Sequence, residues 1–176
     1  MPIEPYRGIH PKLGRNVYIH PTATIIGDVI LGDEVSIWPH VVIRGDVNSI
    51  RIGARTNIQD SSILHVTHRR DEAHEGASLV IGERVTVGHG VILHGCTVGD
   101  ECLIGMGSLV MDRAVVEPRV LLGAGSLVPE KRVLQSGWLY LGRPVRQVRR
   151  LDEAELVSFH YQAERYVQLA ADYAAA

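Results

Sequence analysis

A period of six residues predicts a mainly β protein, a parallel β-helix built from hexapeptide repeats, with one C-terminal α-helix packed along it. Apolar residues recur at Ile19, Ile25, Leu31, Ile37 and Ile43, and a small or β-branched residue follows four places after each, at Ala23, Val29, Val35, Val41 and Val47. Self-similarity at a fixed spacing marks stacked repeats, and six fits neither the 3.6 of a helix nor the 2 of an alternating strand. Composition agrees. The chain is 45% hydrophobic but only 5% aromatic, with 18 glycines among 176 residues. That mixture suits a narrow interior of branched aliphatic side chains and turns that need glycine.

In chain order, residues 1–18 read as an irregular lead-in, punctuated by Pro2, Pro5, Gly8, Pro11 and Gly14. The coils are expected over 19–128. A three-residue insertion follows Val47, after which the repeat returns at Ile52, Ile58 and Leu64, with Thr56 and Ser62 in the second slot. A longer polar insertion, 66–78, carries His68, Asp71, Glu72, His74 and Glu75. The repeat resumes at Ile81, Val87 and Leu93, skips one residue, and runs through Val98, Ile104, Val110, Val116, Leu122 and Val128. Its second slot then reads Val85, Val91, Thr97, Cys102, Ser108, Ala114, Val120 and Ser126. Residues 129–151 read as a strand and turn around Gly137–Pro144. Asp152 is an N-cap with Glu155 three residues on, which starts a helix over 152–174. Leu156, Phe159, Ala163, Val167 and Ala170 line one face of it. All of this forms a single domain.

Bulk properties limit the function. A net charge of −2 gives no electrostatic footprint for nucleic acid. The start lacks a charged-then-apolar leader, and no apolar run is long enough to cross a membrane, so a soluble cytoplasmic protein is expected. Cys96 and Cys102 do not form a CxxC pair and read as reduced thiols, Cys102 in an inward slot.

The histidines carry the functional signal. Three hexads make one coil, so a residue lies over its counterpart three hexads later. With the 66–78 insertion treated as a bulge, Leu64 stacks under Leu93 and His65 under His94, with Arg44 one coil below. Asp60 lies below His89 in another column. His65 and His94 can then chelate one metal, whereas His89 lies on a different face and reaches only the metal of a neighbouring copy. Three copies around an axis close that head-to-tail contact, which also brings Asp60 of one chain toward Arg44 of the next. Three imidazoles suit Zn²⁺, with Fe²⁺ or Co²⁺ as alternatives. His10, His20, His40 and His160 read as structural or merely exposed. His68 and His74 are candidate proton carriers.

The segments Arg44-Gly45-Asp46, Asn57-Ile58-Gln59-Asp60, His65 and His89-Gly-Val-Ile-Leu-His94-Gly-Cys resemble the gamma-class carbonic anhydrase family, within the left-handed β-helix hexapeptide-repeat superfamily. The likeness covers nearly the whole chain, and the left hand of the coil comes from it alone. It implies a homotrimer, His65, His89 and His94 as metal ligands between subunits, and reversible hydration of carbon dioxide to bicarbonate. It further implies that Gln59 orients the nucleophilic hydroxide and that Arg44 and Asp60 form an intersubunit pair. Asp46 and Asn57 match nearby polar positions, and Tyr161 matches a tyrosine from the terminal helix. The pattern departs at Val47, where members carry a glutamate, and in the shorter acidic loop. Glu72, Glu75, His68 or His74 are the groups available to replace those proton carriers. The competing readings are a hexapeptide-repeat acyltransferase, a metal-dependent thioesterase and a non-catalytic zinc-binding trimeric scaffold.

Overall fold

The computed structural model describes residues 3–71 and 75–175. The chain winds as a parallel β-helix of triangular section, each coil supplying one short strand to each of three faces. The first face stacks Val42, Ile63, Ile92, Leu109 and Leu127 in register. The second stacks Arg51, Val80, Thr97, Val115 and Val133. The third stacks Tyr18, Ser36, Asn57, Thr86, Leu103, Leu121 and Leu139. Two long strands, Thr24–Leu31 and Val42–Ile52, turn the corner between the first two faces and join them into one sheet.

The six-residue pattern is the inward pattern. Ile25, Ile37, Ile43, Ile58, Leu64, Val87, Leu93, Ile104, Val110, Leu122 and Val128 are all 0% exposed. Two second-slot residues are not inward. Val47 is exposed, and Ile50 fills its place in the core. The strand register explains it: Gly27 pairs with Gly45 but Val29 with Ile50, so the three inserted residues bulge out of the corner. Thr97 is exposed and Cys96 takes the inward place, because the one-residue skip falls before it rather than after.

Parallel pairing also extends beyond 19–128. Ile3–Glu4 and Lys12–Leu13 pair with Thr24–Leu31. At the other end Val133–Leu134 and Trp138–Leu141 continue the second and third faces. Prolines and glycines in both segments disguise that pairing; beyond Val128 the inward six-residue spacing runs on through Leu134 and Tyr140, 0% and 2% exposed, while Arg132 and Trp138 stand where the second slot is elsewhere small. Arg146–Arg150 then folds back antiparallel on Trp138–Leu141 and is exposed along its length. Its arginines blunt an otherwise open sheet edge.

The helix spans Glu153–Ala175. Its start is a reciprocal capping box: the Glu155 N–H donates to Asp152 Oδ1 at 2.8 Å, and the Asp152 N–H donates to Glu155 Oε2 at 3.0 Å. Phe159, Ala163 and Ala170 are its buried residues. It packs on the third face, where Trp38 meets Tyr166 and Tyr173 edge-on at 5.6 and 5.3 Å, and Arg55 ties Glu164 to the coil at 2.8 Å. No described helix is long and apolar enough to cross a membrane.

Both cysteines lie in the aliphatic core, and burial pushes each thiol up to about 12. The reactive thiolate is therefore scarce at neutral pH. A thiol titration of the native protein at pH 8 is expected to leave Cys96 and Cys102 unmodified, and both should react once denaturant opens the coil.

Candidate metal centre at two corners of the coil

The site begins with the register of the first face. Leu64 pairs with Leu93 and His65 with His94, in parallel strands that end at the same corner. Ile43 pairs with Leu64, which puts Arg44 beside His65 one coil below. The imidazoles meet, His65 Nδ1 standing 3.1 Å from His94 Nε2.

Each ring is held from behind by a carboxylate. Asp46, carried out on the corner bulge, accepts from His65 Nε2 at 3.2 Å and takes an ion pair from Arg44. Asp112 accepts from His94 Nδ1, and its other oxygen accepts from the Thr67 hydroxyl. A carboxylate offers only acceptors, so each outer nitrogen carries the hydrogen. The two inner nitrogens then turn their lone pairs on each other, an arrangement that calls for a cation between them. Zinc–nitrogen bonds of about 2.0–2.1 Å at the tetrahedral angle would set two donors about 3.3 Å apart, close to what the pair already shows.

The electrostatics favour a neutral His65 and charged carboxylates at Asp46 and Asp112. Burial pushes His65 below its ordinary value, the positive charge of Arg44 and the neighbouring His94 push the same way, and the Asp46 hydrogen bond opposes. Burial alone would raise Asp46, but hydrogen bonds from Arg44 and His65 outweigh it and hold the carboxyl below the usual range. Asp112 follows the same balance, with Thr67 and His94 as its donors.

His89 lies elsewhere. It sits in the turn that enters the first face, whereas His94 sits where that face ends. The turn at 89–90 and the strand Ile92–His94 separate them, so the two side chains leave the coil at different corners. His89 is half exposed, and its Nδ1 is 2.9 Å from Asp60 Oδ2, which stacks below it. Among the described residues, no three histidine, cysteine or carboxylate side chains of one chain cluster as a metal site.

Gln59 and Asn57 line up on the third face behind His89. Asn57 donates to Thr86 Oγ1 at 3.0 Å and accepts from Gln59 Nε2 at 3.1 Å, so the carboxamide of Gln59 is fixed although it is nearly buried. A cavity of about 390 Å³ opens here between coil and helix, bounded by Gln59, His89, Met106, Gln162 and Tyr166. Tyr161 is not brought to it. It is 67% exposed, and Tyr166 takes the inward place. Five residues turn a helix by about 140°, so the two tyrosines cannot share a face. Burial and the nearby Asp60 raise Tyr166 above the ordinary phenol value.

Asp112 and Thr67 were not singled out from the sequence, although a signal exists. Stacking continued one coil past His94 places Asp112 over Gly95, and the Arg113 N–H donates to the Gly95 carbonyl at 2.7 Å. Of the loop histidines and acids, His68 and Glu75 are exposed, while Glu72 and His74 lie outside the described residues.

The chain matches the bacterial transferase hexapeptide (six repeats) family over residues 10–45 and 78–112. It is 53% identical to Protein YrdA of Escherichia coli, over 97% of this chain and 93% of the relative. It is 43% identical to a carbonic anhydrase of Geobacillus kaustophilus, over 94% and 87% respectively. It is 40% identical to mitochondrial gamma carbonic anhydrase 2 of Arabidopsis thaliana, over 91% of this chain but 57% of that longer protein. A crystal structure of a hexapeptide transferase family protein from Anaplasma phagocytophilum superposes with a TM-score of 0.89 at 41% identity, covering 97% of both chains.

The depressed His65 gives a signed pH dependence. Below the ordinary imidazole value of 6.5 the unfolded chain takes up a proton that the folded chain still refuses. The unfolded state then binds more protons, and stability falls as pH falls through that window. Asp46 and Asp112 add stability above the ordinary carboxylate range, lost at lower pH as their folded forms protonate. Urea midpoints of the metal-free protein should therefore drop between about pH 7 and 5, and His65→Gln should flatten that segment.

Proposed function

Because the chain belongs to the gamma-class carbonic anhydrase family of hexapeptide-repeat proteins, we propose that it catalyses the reversible hydration of carbon dioxide to bicarbonate at a metal centre shared between copies of a homotrimer. The observation that carries the reading is the pair of facing imidazole nitrogens, 3.1 Å apart with a carboxylate behind each ring. His65 and His94 of one copy and His89 of a neighbouring copy would hold the ion. Three neutral nitrogens suit Zn²⁺, and also Fe²⁺ or Co²⁺. A divalent ion bound there supplies Lewis acidity that makes water a nucleophile at neutral pH.

The remaining work falls to the chain. Gln59, held by Asn57, orients the attacking water by hydrogen bond. Arg44 lies at the mouth of the site, half exposed beside Asp46, and its charge draws the bicarbonate anion. In the trimer Arg44 also meets Asp60 of the neighbouring copy. Hydration releases one proton per carbon dioxide. His68 and Glu75, exposed on the inserted loop, would pass it to solvent, since Val47 cannot.

The outer surface of the first face supports the assembly. Ile63 and Ile92 stack on each other while 44% and 38% exposed. An apolar column between the His89 corner and the His65–His94 corner suits burial against a second copy. That contact joins unlike corners, and three copies close it. An acyltransferase that uses one histidine as a base has no need of a cation between His65 and His94, so the paired carboxylates favour the metal reading.

Stopped-flow hydration of carbon dioxide by the zinc-loaded protein tests the proposal. The loaded protein should be active, and Gln59→Leu should keep its zinc while losing about 10²-fold in kcat/KM. Absence of hydration by fully loaded protein would contradict it.

A further inference from the structure

The inserted segments carry more than loop length. The bulge at 46–49 and the insertion after Val66 emerge at the same corner and are bound together: Asn48 Nδ2 donates to the carbonyls of Thr67 and Glu75, both at 3.1 Å. Thr67 and Ala77 close the neck of the insertion with a reciprocal pair of backbone hydrogen bonds, at 3.0 and 3.1 Å. That neck presents the Thr67 hydroxyl to Asp112, whose second oxygen faces His94 Nδ1. Gly95 leaves the room: a Cβ there would stand 2.7 Å from both Asp112 Oδ1 and the Ala77 methyl.

From this geometry we infer that Asp112, steadied by Thr67, is a positioning residue that sets the tautomer and ring orientation of His94 and thereby the metal affinity of the site. The inference rests on the functional reading above and deepens it. With one oxygen engaged by Thr67, the carboxylate cannot swing away. Its other oxygen accepts the Nδ1 hydrogen, which leaves the Nε2 lone pair aimed at His65. Carboxylates behind ligating histidines typically contribute 10–100-fold to metal affinity. The insertion thus reaches the metal through its neck, by the chain Asn48, Thr67, Asp112, His94, whatever its tip does for proton transfer. Thr67 acts only through Asp112, so the two should not add.

The test is zinc affinity of the full-length protein by competition with a chromophoric chelator, paired with thermal unfolding of the metal-free protein. Asp112→Asn keeps the shape and removes the charge. It should weaken zinc binding by the folded protein about 10–100-fold, whatever small loss of metal-free melting temperature accompanies the lost carboxylate. Thr67→Val should weaken binding by a smaller factor, and adding it to Asp112→Asn should change nothing further. Wild-type affinity in Asp112→Asn would overturn the inference while leaving the metal centre standing. So would a lowered metal-free melting temperature with unchanged affinity of the folded protein. Failure of the wild-type protein itself to bind zinc would overturn the functional reading and this inference with it.

Discussion

Stacking of one coil on the next, at the inter-strand spacing of about 4.8 Å, is the constraint from which the rest of the molecule follows. It converts distance along the chain into a fixed column. His65 and His94 are 29 residues apart in sequence, yet they are register partners, and their rings meet without any loop having to find a special conformation. The same rule places Arg44 beneath them and Asp112 above. The interior filled by the hexads makes the register rigid: an inward aliphatic residue in each strand from Thr24–Leu31 to Val133–Leu134 resists slippage, because a one-residue shift would expose it.

A regular coil alone would give a smooth prism. Chemistry enters where the regularity is broken at one corner. The bulge at 46–49, three residues longer than the strand opposite, brings Asp46 out to His65, and the longer insertion brings Thr67 to Asp112. Both insertions leave the inward positions intact, since Ile50 and Leu79 resume the core at once. The opposite corner holds His89 and Asp60, and the apolar column of Ile63 and Ile92 spans the face between them. On the proposed reading one chain carries two unlike halves of a site, separated by the width of a face. Assembly rather than folding would bring them together.

Much of this was legible in the sequence because period six, inward burial and coil stacking are one and the same physical fact. The histidine columns followed by counting, as did the placement of Asp60 under His89 and the capping box at Asp152. The errors are instructive. Thr97 and Val47 were set inward because an insertion's exact position cannot be read from spacing alone, and the core chose Cys96 and Ile50 instead. The ends of the coil are harder to read: Ile3–Glu4 and Lys12–Leu13 pair through backbone hydrogen bonds without a buried residue, and beyond Val128 the spacing continues at Leu134 and Tyr140 but Arg132 and Trp138 break the small second slot. Which tyrosine of the terminal helix faces the coil is not legible, because a helix rotates every residue by about 100°; within one chain Tyr166 faces it and Tyr161 points outward. Asp112 was within reach of the same counting that found His94. In sequence its Met-Asp-Arg corner looks like any other solvated turn.

The central claim is that the two halves of the site come from different copies, and complementation between chains tests it most directly. A His89→Ala chain retains only the paired histidines, and a chain with His65→Ala and His94→Ala retains only the single one. Zinc content should be near zero for trimers of either chain alone. After the two are unfolded together and refolded at equal amounts, random mixing around a threefold axis should restore about a quarter of the sites. A mixture as empty of zinc as its components would contradict the account, as would full zinc occupancy in the His89→Ala chain by itself.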